Sequence, residues 1–472
     1  NLPYALYLNH EKVYEGMLRK EPGEQDTATL GLLSCLKNQV GPLSWNADGL
    51  WFPHNDVAQG IQTQDPDLLY FAGDQIYEGD ITGVDSRSEH HQILDYHTKW
   101  QRFLWSFGDL TKNRPTICIP DDHDVFHGNL WGAGGRRAQK TEEYSTQDSG
   151  GYKMSAKFVN AVHGTLVSHL PPSQVSPTIG QGISTYTTSF SWGGIDFCVL
   201  SDRMWKDSPS VAVPALNFKN GWPQADVFSP DDADVFGAQL LGKEQEDFLE
   251  AWAQQKTGGT WTKVVLSQSP FACLHTLPGI HKGDQVVGRL PAPKPGEYPE
   301  NDVPVVDGDS NGWPQSARNR AVKSLKKAGA LHLVGDQHLG SVAWYGSDKH
   351  RDGTVVFTGP ALGNTWPRRW MPAEKGANQI PGAPRYTGDY LDGFGNKITM
   401  LAVANPADLG RKPKLLYDRS PGFGIVHFNP KNKETILEAW PRWQSSSEEP
   451  KMFPGWPIHL NAQGMPISPV KK

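Results

Sequence analysis

Three short segments gather acidic and imidazole side chains: F-A-G-D-Q-I-Y around Asp74, I-C-I-P-D-D-H-D carrying Asp121, Asp122, His123 and Asp124, and L-H-L-V-G-D-Q-H carrying Asp336 and His338. Carboxylates and imidazoles so grouped are metal ligands by type. Attack on a phosphoester at neutral pH needs a hydroxide and relief from the substrate's negative charge, and two metal ions roughly 3.5–4 Å apart supply both. In that arrangement Asp74 is the natural bridge between the ions. Asp336 and His338 alternate on one segment and can reach different ions. His123 is placed to protonate the leaving oxygen or to steady charge on the phosphoryl group, and a neighbouring carboxylate can orient it. Cys35 closes the run Leu30-Gly31-Leu32-Leu33-Ser34 and is a further ligand candidate.

Each cluster follows an apolar run, Leu68–Phe71, 116–119 or Leu331–Val334, of the kind that forms strands covered on both faces. Such α/β folds carry their chemistry at the carboxyl ends of the strands. The pattern predicts a first core strand at 30–35 and helices over 11–19, 92–107, 155–169 and 318–328, with another opening at Leu241. It also predicts a hairpin of 183–191 and 195–201 around Trp192-Gly193-Gly194 and a buried strand at 262–268. Residues 126–152 read as a Gly-rich loop over the site. The Pro-rich stretch 290–316 reads as an insertion or lid. One catalytic core over 30–444 is expected, with an extension at 1–29 and a tail at 445–472.

The chain has 472 residues, a formal net charge of -6 and 20% charged residues, which exclude a strongly basic nucleic-acid binder. No run of 18 apolar residues is present, so no membrane-spanning helix is expected. The first residue is Asn1, and a signal peptide, if there was one, is absent from this sequence. The four cysteines form no C-x-x-C pair, and Cys118, Cys198 and Cys273 lie in or beside apolar runs, where they pack as small hydrophobes. Seventeen tryptophans with 49 glycines and 37 prolines indicate a surface rich in loops. Flat rings in such loops can stack on sugars, although most tryptophans are packing anchors.

The order of motifs resembles the alkaline phosphatase D-like (PhoD-like) branch of the calcineurin-type metallophosphoesterase superfamily. The resemblance rests on Ser34-Cys35, G-D-Q-I-Y at 73–77, D-D-H-D at 121–124 with Asn129 after it, T-S-F-S-W-G-G-I-D-F-C-V-L-S-D-R at 188–203, L-G-K-E-Q-E-D-F-L at 241–249, G-W-P-Q-S-A-R at 312–318 and G-D-Q-H at 335–338. It implies a four-layer α/β/β/α sandwich with long loop insertions and a dinuclear site between two sheets. It further implies that Cys35, Asp74, Tyr77 and His338 bind a ferric ion. Asp74, Asp122 and Asp336, with Asn129 nearby, would bind a second ion, Ca(2+) or another divalent cation. His123 matches the catalytic imidazole and Asp124 its orienting partner. A secreted or periplasmic location is implied as well.

Three departures stand out. Asp124 replaces the Glu of D-D-H-E and is one methylene shorter; Gln75 and Gln337 bring two amides toward the site; and the amino-terminal β-sandwich of many relatives is absent or reduced to the first residues. Arg136, Arg137, Arg203 and Arg368 are candidates for gripping an anionic substrate, against the alternative of solvated surface charge. The leading expectation is a metal-dependent hydrolase of phosphomonoesters or phosphodiesters using a metal-bound hydroxide. The alternative keeps the fold and turns it to an anionic oligosaccharide, with Trp366, Trp370 and the loop arginines lining the cleft. A silent binding protein is disfavoured by the intact Asp74, His123 and His338. The expected partner is a small-molecule phosphoester or anionic oligosaccharide, with no sequence-specific nucleic-acid binding. The sequence gives no oligomeric state.

Overall fold

The computed structural model describes residues 1–39, 49–363, 366–412, 414–443 and 451–467. Two sheets form its centre. The six-stranded sheet runs in the order Ile458–Leu460, Glu434–Pro441, Gly422–Asn429, Ala28–Leu33, Leu68–Phe71 and Thr116–Cys118. The eight-stranded sheet runs Gly388–Leu391, Lys397–Val403, Ser341–Tyr345, Val355–Thr358, Leu331–Val334, Thr262–Leu266, Ile195–Val199 and Thr188–Trp192. In each sheet the strands that lead to the acidic motifs are parallel. Ala28–Leu33, Leu68–Phe71 and Thr116–Cys118 pair in parallel in one; Ile195–Val199, Thr262–Leu266, Leu331–Val334 and Val355–Thr358 do so in the other.

These strands are apolar on both faces because both faces are covered: Leu68–Phe71, Leu331–Val334 and Val355–Thr358 are buried at every residue. One face of each sheet meets the other sheet, where Tyr70 Oη donates to the Ser267 carbonyl at 2.7 Å. Helices cover the outer faces. Asn55–Gln64, Glu89–Thr111 and Ala156–Leu166 send Val57, Ile61, Phe103, Phe107 and Val162 into the core of the first sheet. Lys243–Gln254 and Gln315–Ala328 send Leu249, Trp252, Val322 and Leu325 onto the second. The result is the α/β/β/α order expected. Among the described residues no helix is long and apolar enough to cross a membrane.

Two sequence expectations change. The helix over 11–19 is instead the second strand of a hairpin, Leu2–Leu8 with Glu11–Leu18, joined by Asn9 and His10 at φ 48° and 70°. Two consecutive left-handed residues give the tight turn that suits strand twist, and the preceding segment then supplies a pairing partner that outweighs local helix preference. Tyr4 Oη donates to the Lys112 carbonyl and the Met17 amide to Asn113 Oδ1, which docks the hairpin on the end of the helix Glu89–Thr111. The stretch 290–316 is not a free lid. Asp302–Pro304 pairs with Thr276–Pro278, and Asp302, Asp307 and Asp309 are buried. Of the tail, 444–450 and 468–472 lie outside the described residues, while Ile458–Leu460 adds the edge strand of the first sheet.

Two core histidines are held neutral. His163 Nδ1 donates to the Ser184 carbonyl at 2.8 Å, and His332 lies between Ser267 Oγ at 2.8 Å and Tyr345 Oη at 3.2 Å. Burial lowers them to about 4 and about 3. Both folded values lie below the unfolded value near 6.5, so the unfolded chain binds protons first as pH falls. Their stability contribution is whole above about pH 6.5 and drains away below it, by about 1.4 kcal/mol per pH unit for each histidine. Urea unfolding of the wild type should therefore weaken between pH 6.5 and 4 more steeply than that of His163→Gln.

Candidate metal centre

The carboxyl ends of the parallel strands of both sheets converge, and the candidate ligands sit in the turns just beyond them. Close approach of these turns requires glycine. A Cβ on Gly73, before Asp74, would meet Asp121 Cβ at 2.4 Å; one on Gly335, before Asp336, would meet Ser34 Cβ at 2.4 Å. The ligand candidates themselves are strained: Cys35, Asp74, Asp336 and His338 have φ of 56°, 57°, 64° and 57°. Left-handed backbone at four non-glycine residues of one site is a cost that the surrounding fold must impose.

Three overlapping ligand groups result. Cys35, Asp74 and His338 form one, Asp74, Asp122 and His123 a second, and Asp121, Asp122 and Asp336 a third, each with ligand atoms within 4.8 Å of one another. Asp74 and Asp122 each belong to two of these groups, and Asp74 is the one that links Cys35 and His338 to the rest. Tyr77 Oη lies 3.1 Å from His338 Nε2. His338 Nδ1 donates to the Trp366 carbonyl at 3.0 Å, which fixes the tautomer and leaves Nε2 as a lone pair facing the site. Burial and then Asp122 push the Asp74 carboxyl well above its ordinary range; burial and then Asp74 do the same to the Cys35 thiol. One oxygen of Asp121, Oδ2, is buried without a hydrogen-bond partner among the described residues. Anionic donors crowded into a buried space with too few counter-charges fit cations, and thiolate, phenolate, imidazole and carboxylate are a donor set for a transition metal beside a harder ion.

Behind the ligands lies a cation of the protein's own that touches three of the carboxylates. Arg203 is 1% exposed; its Nε donates to Asp121 Oδ1 at 2.8 Å, Nη1 donates to Asp309 Oδ1 at 2.6 Å, and Nη2 lies 3.0 Å from Asp336 Oδ1. Lys206, fully buried, donates to the carbonyls of Gly308, Asp309 and Ser310 at 2.7–2.9 Å and fastens the loop that carries Asp309. Asp202 accepts from the Gln268 and Ser269 amides and from Asn311, and Ser269 Oγ in turn donates to Asp336. Asp336 is thus fixed by Arg203, Ser269 and Gln337 before any ion is considered.

Several expected roles are corrected. Asp124 does not orient His123: its Oδ2 accepts from the Asp74 and Asp121 amides at 2.7 and 2.9 Å and its Oδ1 from Ile76 at 3.1 Å. Three backbone donors occupy both oxygens, so the short side chain ties the two acidic turns together. The partner of His123 is Glu78, whose Oε2 lies 2.7 Å from Nδ1. Glu78 directly follows Tyr77, and that adjacency was the available signal. His123 and Glu78 are 25% and 26% exposed, which puts the pair at the mouth. Burial opposes charge on His123, yet Asp122, Glu78 and Asp74 outweigh it and raise the imidazole to about 10.

Arg203 is sealed among carboxylates and has no access to substrate. Arg368 is 8% exposed and bound to Asp307 and Gln337. Arg136 donates to the Ser149 carbonyl, and Arg137 forms a backbone bridge with Tyr152. Asn129 donates to Asn220 at 3.2 Å. Gln75 turns back to the Phe71 and Ile119 carbonyls, so only Gln337 brings an amide to the acidic cluster. Trp370 is fully buried against Tyr390, which removes it from any sugar-binding cleft.

Arg203→Met leaves three buried carboxylates without their counter-charge and should cost roughly 3–5 kcal/mol in urea unfolding. Arg203→Lys should recover only part of it, because one ammonium does not span the three directions of a guanidinium.

With this geometry in place, comparison with known proteins is informative. The PhoD-like phosphatase family matches residues 38–364. No curated protein matches the chain in sequence. Among solved structures, PhoD aligns at TM-score 0.57 and 16% identity, over 98% of this chain and 76% of that one. A purple acid phosphatase from yellow lupin (Lupinus luteus) seeds aligns at TM-score 0.45 and 11% identity over 94% of this chain and 55% of that one. A dimetal phosphatase from Danio rerio aligns at 0.43 and 10%, over 91% and 99%. The PhoD alignment supports the fold, and the family match spans the strand ends from Asp74 to His338; the chain belongs to the PhoD-like phosphatase family.

Proposed function

We propose that this phosphatase hydrolyses phosphomonoesters or phosphodiesters at a dinuclear centre, in the secreted or periplasmic setting that the family resemblance implies. Cys35, Asp74, Tyr77 and His338 would hold a ferric ion; Asp74 and Asp122, with Asp336 beside them, would hold Ca(2+) or another divalent ion. The observation that carries the reading is the position of Asp74, whose carboxylate lies within 4.8 Å of the ligand atoms of Cys35 and His338 on one side and of Asp122 on the other. Bound cations would make water a nucleophile at neutral pH and draw charge from the phosphoryl oxygens.

The protein's own groups do the rest. His123 is held at Nδ1 by Glu78 and lies against the Tyr77 ring at a centroid distance of 4.2 Å, so Nε2 is aimed, and the neighbouring carboxylates favour its protonated form. It is suited to donate a proton to the leaving oxygen. Asp124 fixes the turns of Asp74 and Asp121 relative to each other through the amides it binds, and so sets the spacing of the ligands. His338 is locked by the Trp366 carbonyl.

Asp74→Asn keeps the shape and removes the shared charge. It should lower bound metal, measured by mass spectrometry, and reduce turnover of generic phosphoesters by on the order of a hundredfold or more. A fully metallated wild type that hydrolyses neither a monoester nor a diester would overturn the reading.

A further inference from the structure

A lysine beside the centre is unaccounted for by the ligand set. The Lys153 amide donates to His127 Nε2 at 2.9 Å, and the His127 amide donates to the Asp122 carbonyl at 2.9 Å. Lys153 is therefore tied to the turn that carries Asp122 and His123. Its side chain is half-buried; burial lowers its pKa, while Glu78, Asp122 and Asp148 favour the charged form. A half-buried lysine ordinarily forms an ion pair or reaches out to water. Here Nζ has one acceptor among the described residues, Gln147 Oε1 at 3.1 Å, which leaves two of its three donors without a protein partner.

The acceptor is itself held. Gln147 donates to Asn220 Oδ1, Asn129 donates to the same residue, and the Asn220 amide donates to Asp148 Oδ1 at 2.7 Å. This row of amides holds the ammonium in place without neutralising it. A cation so placed has an electrostatic use, because Asp122 and Glu78 would otherwise repel an incoming phosphate. Of the four arginines read from sequence, Arg203 and Arg368 are held by buried carboxylates and Arg136 donates to the Ser149 carbonyl; Arg137 is exposed, and its contact with Tyr152 is a backbone bridge.

We propose that Lys153 is the substrate-binding cation of the site, donating to a non-bridging phosphoryl oxygen, with Gln147, Asn220 and Asn129 fixing its position. This inference rests on the phosphoesterase reading above. It also orders substrates: a monoester dianion should depend on Lys153 more than a diester monoanion does.

The test uses the metal-loaded full chain, p-nitrophenyl phosphate, bis-p-nitrophenyl phosphate, and inorganic phosphate as competitive inhibitor. Lys153→Met should raise KM for the monoester and Ki for phosphate by about tenfold or more, with a smaller change for the diester. Metal content should be unchanged and kcat should move by less than about threefold; Lys153→Arg should restore most of the phosphate affinity. An unmoved Ki in Lys153→Met would overturn the assignment alone, as would a loss of affinity that tracks loss of metal in both variants. If the metal-loaded wild type turns over neither ester, the functional reading fails and takes Lys153 with it.

Discussion

The negative charge gathered where the two sheets meet is the constraint that the rest of the site answers. Asp74, Asp121, Asp122, Asp309 and Asp336 are drawn into one region, each buried or nearly so, where solvent cannot screen their repulsion. Arg203 offsets the inner part by reaching Asp121, Asp309 and Asp336 together. The outer part, Asp74 and Asp122 with Cys35 and His338, lies outside the ion pairs of Arg203 and is the part that metal ions would complete. Arg203 thus divides the acidic region into a wall paired to the protein's own cation and an open ligand set.

The backbone carries a matching cost. Left-handed φ at Cys35, Asp74, Asp336 and His338 turns the chain sharply after each strand, so that side chains from two sheets point at one place. Gly73 and Gly335 let those turns touch. Asp124 and Asp202, each accepting backbone amides from neighbouring turns, hold the geometry on the protein side. Pre-strained ligands fastened by a rigid frame lose little freedom when a cation arrives.

The parts of this arrangement visible in the sequence were those with a local signature. Leu68–Phe71 and Leu331–Val334 are apolar throughout because they are covered on both faces, and the acidic residues that follow could be read as strand-end ligands. What the sequence hid was pairing over long distances. Nothing local tells that Arg203 meets Asp121, Asp309 and Asp336 rather than solvent, and so it read as a substrate clamp. The Pro-rich character of 290–316 suggested an insertion or lid, and a free lid does not fit, because Asp307 and Asp309 are anchored through Arg368, Arg203 and Lys206. Glu78 rather than Asp124 holds His123, and spacing along D-D-H-D says nothing of the backbone amides that converge on Asp124. The segment 11–19 read as a helix because nothing within it shows its pairing with Leu2–Leu8.

The central claim is that the outer acidic region is a two-ion site bridged by Asp74. Anomalous diffraction from crystals of the protein purified without chelator, with data collected at the edges of the metals it carries, tests it directly. The account predicts two peaks about 3.5–4 Å apart, one within bonding distance of Cys35, Asp74, Tyr77 and His338, the other beside Asp74 and Asp122, and no peak displacing Arg203 from Asp121. A single ion, or ions bound away from Asp74, would contradict it.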